Sequence, residues 1–396
     1  MLHSYRFSNF FSFKDPTEVS FRLSRHAPAD NLSFESEIGD RDRLTKLLAV
    51  LGPNGSGKTN LIKPVAFVHW FLGSSFQFDP KRNIPIEPHF SSPNEPSSFE
   101  FEAEYDGLLW RYTLEATKER VLKEALYKKT SRQFSYVFIR EWQPDEKSYS
   151  IKQNEFGFLP AEAQKVRENA SLIATAAQYQ VPVAAAFANA SVCSNVVATG
   201  RNRLSIDHFR AAANFFADEP SHATLMSTLL HEWDLGLERI EISKVKTTDK
   251  DGVEKEINLP LGFHHVNGKS IPLTLHQESS GTQAAFVLLS YLLPTLATGG
   301  LASIDEMESD LHPHMLAPIL KLFIDPKTNP RNAQLLFTCH SVDILNQLHK
   351  AQVVLVEKDR HCNSEAWRLD SVKGLRADDN LYAKYMAGAY RAIPRL

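Results

Sequence analysis

Residues 52–59, Gly52-Pro53-Asn54-Gly55-Ser56-Gly57-Lys58-Thr59, match the phosphate-binding pattern G-x-x-x-x-G-K-[ST] at every position. No other stretch restricts the fold as strongly, because the pattern belongs between a strand and a helix. The apolar run Leu47-Leu48-Ala49-Val50-Leu51 predicts a buried strand ahead of it, and Asn60 to Phe71 predicts a helix behind it. Glycines let backbone N–H groups curl around the phosphates of a nucleotide. The helix N-terminus adds the positive end of its dipole. In such a loop Lys58 reaches the β- and γ-phosphates and Thr59 holds Mg²⁺. No N-K-x-D guanine motif occurs, so ATP is the expected nucleotide.

The remaining properties bound the problem. A chain of 396 residues buries a large core in one or two domains. Hydrophobic residues make up 43% and charged residues 23%, an ordinary globular balance. With a net charge of −3 no global positive field points to nucleic acid, which leaves only a local basic face for that role. Cys193, Cys339 and Cys362 contain no C-x-x-C pair, which argues against structural zinc or a disulfide framework and suits a reducing cytosol. No apolar run approaches the length of a membrane span, and Met1-Leu2-His3-Ser4-Tyr5-Arg6 does not read as a signal peptide. The expectation is a cytoplasmic protein without a membrane partner.

Hydrophobic periodicity predicts short strands over 2–10 and 17–23, a polar loop over 24–43, and a Pro-rich surface loop over 74–98. A hairpin turns at Asp106-Gly107, and further strands are expected near 121–128, 134–142 and 147–151. Helices follow over about 160–235, with starts at Asp207 and Pro220. Strands return over 237–275, with hairpin turns at Asp251-Gly252 and Asn267-Gly268. From Ser280 helices and strands alternate again. The fold class is therefore α/β, with the nucleotide domain split into 1–116 and 236–396 around a mixed α/β insertion at 117–235.

The second half carries further motifs in order. Glu278-Ser279-Ser280-Gly281-Thr282-Gln283 opens a helix; Leu301-Ala302-Ser303-Ile304-Asp305-Glu306 is a short strand ending in two acids. Glu308-Ser309-Asp310-Leu311-His312-Pro313 follows, and Gln334-Leu335-Leu336-Phe337-Thr338-Cys339-His340-Ser341 is an apolar strand ending in a histidine. With Asn60 after Gly57-Lys58-Thr59, this set resembles an ABC-type ATPase head of the RecF/SMC/OLD-like branch. The opening Tyr5-Arg6-Phe7-Ser8-Asn9-Phe10-Phe11-Ser12-Phe13 and the closing Tyr390-Arg391-Ala392-Ile393-Pro394 resemble a narrower group, the RloA/AbiLi-like antiphage ATPases, to which the AriA subunit of PARIS systems is related.

At a strand end Asp305 can hold Mg²⁺ through water and Glu306 can orient or deprotonate the attacking water. Ser280, Gly281 and Gln283 begin a helix and so form a second anion site. The resemblance implies that this helix reaches the γ-phosphate of a partner subunit, that two heads sandwich two ATP molecules as a homodimer or higher oligomer, and that His340 senses the γ-phosphate. It places Asn60 with the nucleotide-binding residues. His312 is either a switch residue or a helix-start histidine, and Gln178 is a weak candidate for a Q-loop.

Other motifs lead elsewhere. Val353-Val354-Leu355-Val356-Glu357-Lys358-Asp359 looks like the start of a Toprim nuclease, but no glycine follows Glu357 and no D-x-D appears beyond it, so the strand is expected to complete the ATPase sheet and no Toprim domain is expected. His264-His265 point to opposite faces of a strand and make no metal site. Lys118, Arg120, Lys123, Lys128, Lys129, Arg132 and Arg140, interleaved with Tyr127, Phe134, Tyr136 and Trp142, form either a solvated sheet face or a grip for DNA, RNA or protein. Arg201 and Arg203 offer a second basic surface. The expected function is an ATP-binding and -hydrolysing switch. The first hypothesis is an ATPase subunit of an antiphage system controlling a separate effector such as a nuclease or toxin. The second is a RecF-like repair or chromosome-maintenance ATPase acting on DNA. A transporter ATPase is disfavoured by the Ser-Gly-Thr-Gln variant and the insertion.

Overall fold

A computed structural model describes residues 1–25, 27, 28, 30–36, 38, 43–197, 200, 201, 205–233, 235–248, 254–309, 311–376 and 379–393. Two sheets organise the molecule. One is antiparallel and seven-stranded, in the order Ser148–Gln153, Phe134–Gln143, Val121–Lys129, Leu108–Ala116, Ser97–Tyr105, Leu2–Ser8, Thr17–Ser20. The other has six strands in the order Val192–Ser194, Leu301–Ile304, Gln334–Thr338, Leu47–Leu51, Val353–Lys358, Ser364–Arg368. Its first five strands run parallel, and the last pairs antiparallel at the edge.

Strands with both faces covered read as unbroken apolar runs, and every residue of Leu47–Leu51, Leu301–Ile304 and Gln334–Thr338 is buried. Alternation splits the central strand between two cores. Leu48 and Val50 pack with Leu61, Phe67 and Phe71 of the helix Lys58–Ser74 and with Tyr5 and Phe7 of the antiparallel sheet. Leu47, Ala49 and Leu51 face Phe286, Leu289 and Leu293 of the helix Ser280–Thr298 and the flanking helices Ile206–Asp218 and Leu316–Ile324. The helix Lys58–Ser74 is thus held between the sheets, and the buried Tyr5 hydroxyl donates to Leu61 O at 2.8 Å.

Hairpin chemistry follows the sequence. Asp106-Gly107 and Asn267-Gly268 both turn with positive φ, at 51° and 68° and at 50° and 74°, as two-residue primed turns require. The Asp251-Gly252 turn lies outside the described residues. The strand Val353–Lys358 joins the six-stranded sheet beside Leu47–Leu51, as expected.

Four expectations meet a different arrangement. The loop at 24–43 contains the strand Ser33–Glu35, paired with Arg43–Thr45. The helical span 160–235 contains Val192–Ser194, which is drawn into the parallel sheet beside Leu301–Ile304 by tertiary pairing that its three residues do not advertise. The expected insertion at 117–235 is woven into both sheets, because Leu108–Ala116 pairs directly with Val121–Lys129. By length and composition one helix among the described residues, Ser280–Thr298, could cross a membrane, contrary to the sequence reading. Here it is a core helix, and its Phe286 packs against Phe209 and Phe216 at 5.3 and 5.1 Å between ring centres.

Candidate nucleotide site

The loop 52–57 joins a buried strand to a helix whose N-terminus has no side-chain cap and no acid in its first turn. Backbone N–H groups are left pointing outward there, the arrangement that binds phosphate. The loop is moulded tightly from below. A Cβ on Gly57, at φ +112°, would meet Ser364 Oγ at 2.4 Å and Ser12 Oγ at 2.8 Å. Ser364 Oγ donates to Ser56 O at 2.6 Å, and Asn60 Nδ2 donates to Ser12 Oγ at 2.9 Å. Asn60 thus braces the loop from its side, and Pro53 contributes a carbonyl rather than a donor. Ser56 Oγ is buried without a hydrogen-bond partner among the described residues. Lys58 Nζ donates to Gly52 O at 2.8 Å and Pro53 O at 3.1 Å, folded over the loop. Burial pulls its pKa below the usual lysine value, against the opposing pull of Asp305, Glu306 and Glu308. An amine held in this way gains from an incoming phosphate anion, so the residues present fit a nucleoside triphosphate.

The acids arrive from the neighbouring strand. Thr59 Oγ1 lies 3.1 and 2.9 Å from the two carboxylate oxygens of Asp305, across a sequence separation of 246 residues. Asp305 is 2% exposed. Thr338, at the end of the adjacent strand, links the two acids: its hydroxyl donates to Asp305 Oδ1 at 2.7 Å and accepts from Glu306 N at 2.7 Å. Thr59 and Asp305 together present hard oxygen donors that would suit Mg²⁺. Among the described residues no cluster of three or more His, Cys, Asp or Glu forms an all-protein metal cage.

Glu306 has a left-handed backbone, φ 46°, rare for a residue with a side chain. Its Oε2 accepts from Arg201 Nη1 and from Ser309 Oγ, the latter at 3.2 Å, and His340 Nε2 stands 3.5 Å from its Oε1. Burial alone would raise the pKa of Glu306; Arg201, the Ser309 hydroxyl and His340 outweigh it and hold the carboxyl below the usual value. The His340 backbone N–H donates to Glu308 Oε1, while Glu308 Oε2 is buried with no partner among the described residues.

The structure therefore brings together Lys58, Thr59, Asp305, Glu306 and His340. It does not bring Ser280, Gly281 and Gln283 to them. Ser279, not Ser280, caps that helix, its Oγ accepting from Thr282 N at 3.1 Å. Gln283 Nε2 turns back to Glu278 O and His276 O at 3.0 and 3.3 Å. Just before the cap, Glu278 Oε1 meets His264 Nε2 at 2.7 Å. His312 is exposed and its Nδ1 accepts from His314 N at 3.3 Å; Gln178 ends the short helix Leu172–Gln178. Asp310 and Arg203 lie outside the described residues, as does Pro394.

Two residues that the sequence did not single out belong to the site. Asn195, just past the strand Val192–Ser194, brackets the Asp305 peptide: its Oδ1 accepts from Asp305 N at 2.7 Å and its Nδ2 donates to Asp305 O at 2.9 Å. Thr338 is the second. Neither residue type carries a motif, and only the strand pairing reveals them. The suggested basic face is largely neutralised. Lys118, Arg120, Lys123 and Lys128 pair with Glu87, Glu168, Glu141 and Glu155. Arg140, offered as part of that face, is fully buried against Glu124 and points inward.

The family model described as AAA domain, putative AbiEii toxin, Type IV TA system matches residues 47–346. That span runs from the first strand of the site through His340. No curated protein matches the chain.

Proposed function

The chain belongs to the AAA-domain family of P-loop ATPases described as putative AbiEii toxins of type IV toxin–antitoxin systems, and on that premise we propose that it is an ATP-driven switch within an abortive-infection system. The observation that carries this reading is the contact between Thr59 and Asp305, which joins the phosphate loop to an acidic pair and fixes Glu306 one residue away. Lys58 and the free N–H groups of the loop bind the triphosphate. Mg²⁺, held by Thr59 and Asp305, neutralises phosphate charge when bound. Glu306 orients the attacking water and accepts its proton, and His340, 3.5 Å from its Oε1, is assigned to sensing the γ-phosphate.

In the same reading the helix start at Ser280, Gly281 and Gln283 serves the nucleotide of a second copy, so that ATP closes a head-to-head homodimer and hydrolysis reopens it. The family description names a toxin, and we assign the toxic output to a separate nuclease or toxin whose release the dimer controls. Action on DNA draws no support from the ion-paired strand face around 118–142. We expect Glu306→Gln to bind ATP, fail to hydrolyse it and shift from monomer to dimer by light scattering with Mg·ATP, whereas Lys58→Ala loses nucleotide binding. A Glu306→Gln protein that hydrolyses at the wild-type rate would overturn the mechanism. Stimulation of the wild type by DNA alone would move the reading to a repair ATPase.

A further inference from the structure

Arg201 looked like part of an exposed basic loop in the sequence. It instead projects its guanidinium onto Glu306 Oε2 and, at 3.1 Å, onto Ser309 Oγ. Asn195 brackets the peptide of Asp305, so Asn195 and Arg201 are both tied to the acidic strand end. We propose that Arg201 is a positioning residue that latches Glu306 in a resting arrangement, so that water activation requires this ion pair to open. The inference rests on the role assigned to Glu306 under Proposed function.

The geometry gives the reason. A carboxylate that orients water must offer that water an oxygen lone pair. Here Oε2 is taken by Arg201 and Ser309, and Oε1 faces His340. The latch is also built to open. Among the described residues Arg201 Nε is buried without a partner, so the guanidinium is only partly used. Arg368, a structural arginine in this chain, is by contrast bidentate to Asp370 and also donates to Ser20 O and Arg22 O. The Arg201 and Glu306 side chains are 25% and 37% exposed. At that exposure water and ions reach the pair and screen it.

The test compares full-length wild type, Arg201→Gln, Arg201→Lys and Arg201→Gln/Glu306→Gln. Single-turnover ATP hydrolysis gives the rate, and a fluorescent ATP analogue gives the affinity. Opening the latch should raise the hydrolysis rate of Arg201→Gln about tenfold, the scale of one charge-assisted hydrogen bond, at unchanged affinity. Arg201→Lys should keep the low rate. The wild-type rate should climb with added KCl while that of Arg201→Gln stays flat, a response that a merely structural arginine would not give. An Arg201→Gln rate equal to or below wild type at unchanged affinity, with Glu306→Gln still abolishing activity, overturns the latch alone. A gain in Arg201→Gln that survives the added Glu306→Gln change overturns the role of Glu306. Absence of hydrolysis in both wild type and Arg201→Gln overturns both.

Discussion

At the scale of single residues, burial decides charge state. Lys63 sits in the helix behind the phosphate loop, 6% exposed, with Nζ 3.5 Å from the centre of the Phe11 ring. Burial lowers its pKa from 10.5 to about 8, against a small opposing pull from Asp305. The unfolded chain keeps this proton up to about pH 10.5, whereas the folded chain releases it near pH 8. Between those values the unfolded state binds more protons, so stability rises with pH; below pH 8 the full penalty of a buried charge applies. The penalty is on the order of 3 kcal/mol, partly offset by about 1 kcal/mol of cation–π attraction. Lys63→Met should therefore raise the urea midpoint at pH 7 and flatten its rise between pH 8 and 10; an unchanged pH dependence would show that Lys63 is not the titrating group.

At the scale of elements, the loop separates two kinds of glycine. Gly55, at φ +74°, has none of the described residues within 4 Å of an added Cβ, while Gly57 at φ +112° would collide with Ser364 and Ser12. Gly55→Ala should cost about 1–2 kcal/mol of backbone strain and preserve most nucleotide affinity. Gly57→Ala must push the loop off its serine support, and binding of the ATP analogue should be largely lost. Equal losses in both variants would contradict the moulding described above. The same elements show what was legible in advance. The strand Leu47–Leu51, its helix, the hairpin at Asp106-Gly107 and the acidic and histidine strands announce themselves through apolar runs, turn residues and spacing. Asn195 and Thr338 do not, because their importance comes from strands paired across the chain: Val192–Ser194 against Leu301–Ile304, and Leu301–Ile304 against Gln334–Thr338; Arg201 was legible only as a basic surface residue, and its contact with Glu306 was not. The basic residues at 118–140 misled for a related reason, since composition cannot say that Arg140 points inward while Lys123 points out.

At the scale of the whole molecule, a buried charge network joins the antiparallel sheet to the segment beneath it. Arg140 and Glu124, both fully buried, lie 3.6 Å apart. Arg140 also donates to Ala170 O, Val166 O and Arg167 O, while Glu124 accepts from Ser171 Oγ at 2.6 Å and from Leu172 N at 2.8 Å, at the start of the helix Leu172–Gln178. Removing one partner strands the other's charge, so Glu124→Ala should lower stability by about 3–5 kcal/mol, and the paired change Glu124→Leu/Arg140→Met should recover most of it. Urea unfolding followed by tryptophan fluorescence checks both, and an additive double variant would deny the coupling. The Thr59–Asp305 contact has a consequence of another kind. Its two halves are 246 residues apart, and Thr338 and His340 come later still. While the chain is being synthesised, its phosphate loop emerges long before the acids that complete it, and domains fold as their residues become available. A ribosome-bound intermediate carries the cradle without the carboxylates that face it. The cradle and the acids that face it are therefore joined only once residue 305 has been made, so the order of synthesis sets the order in which the site assembles.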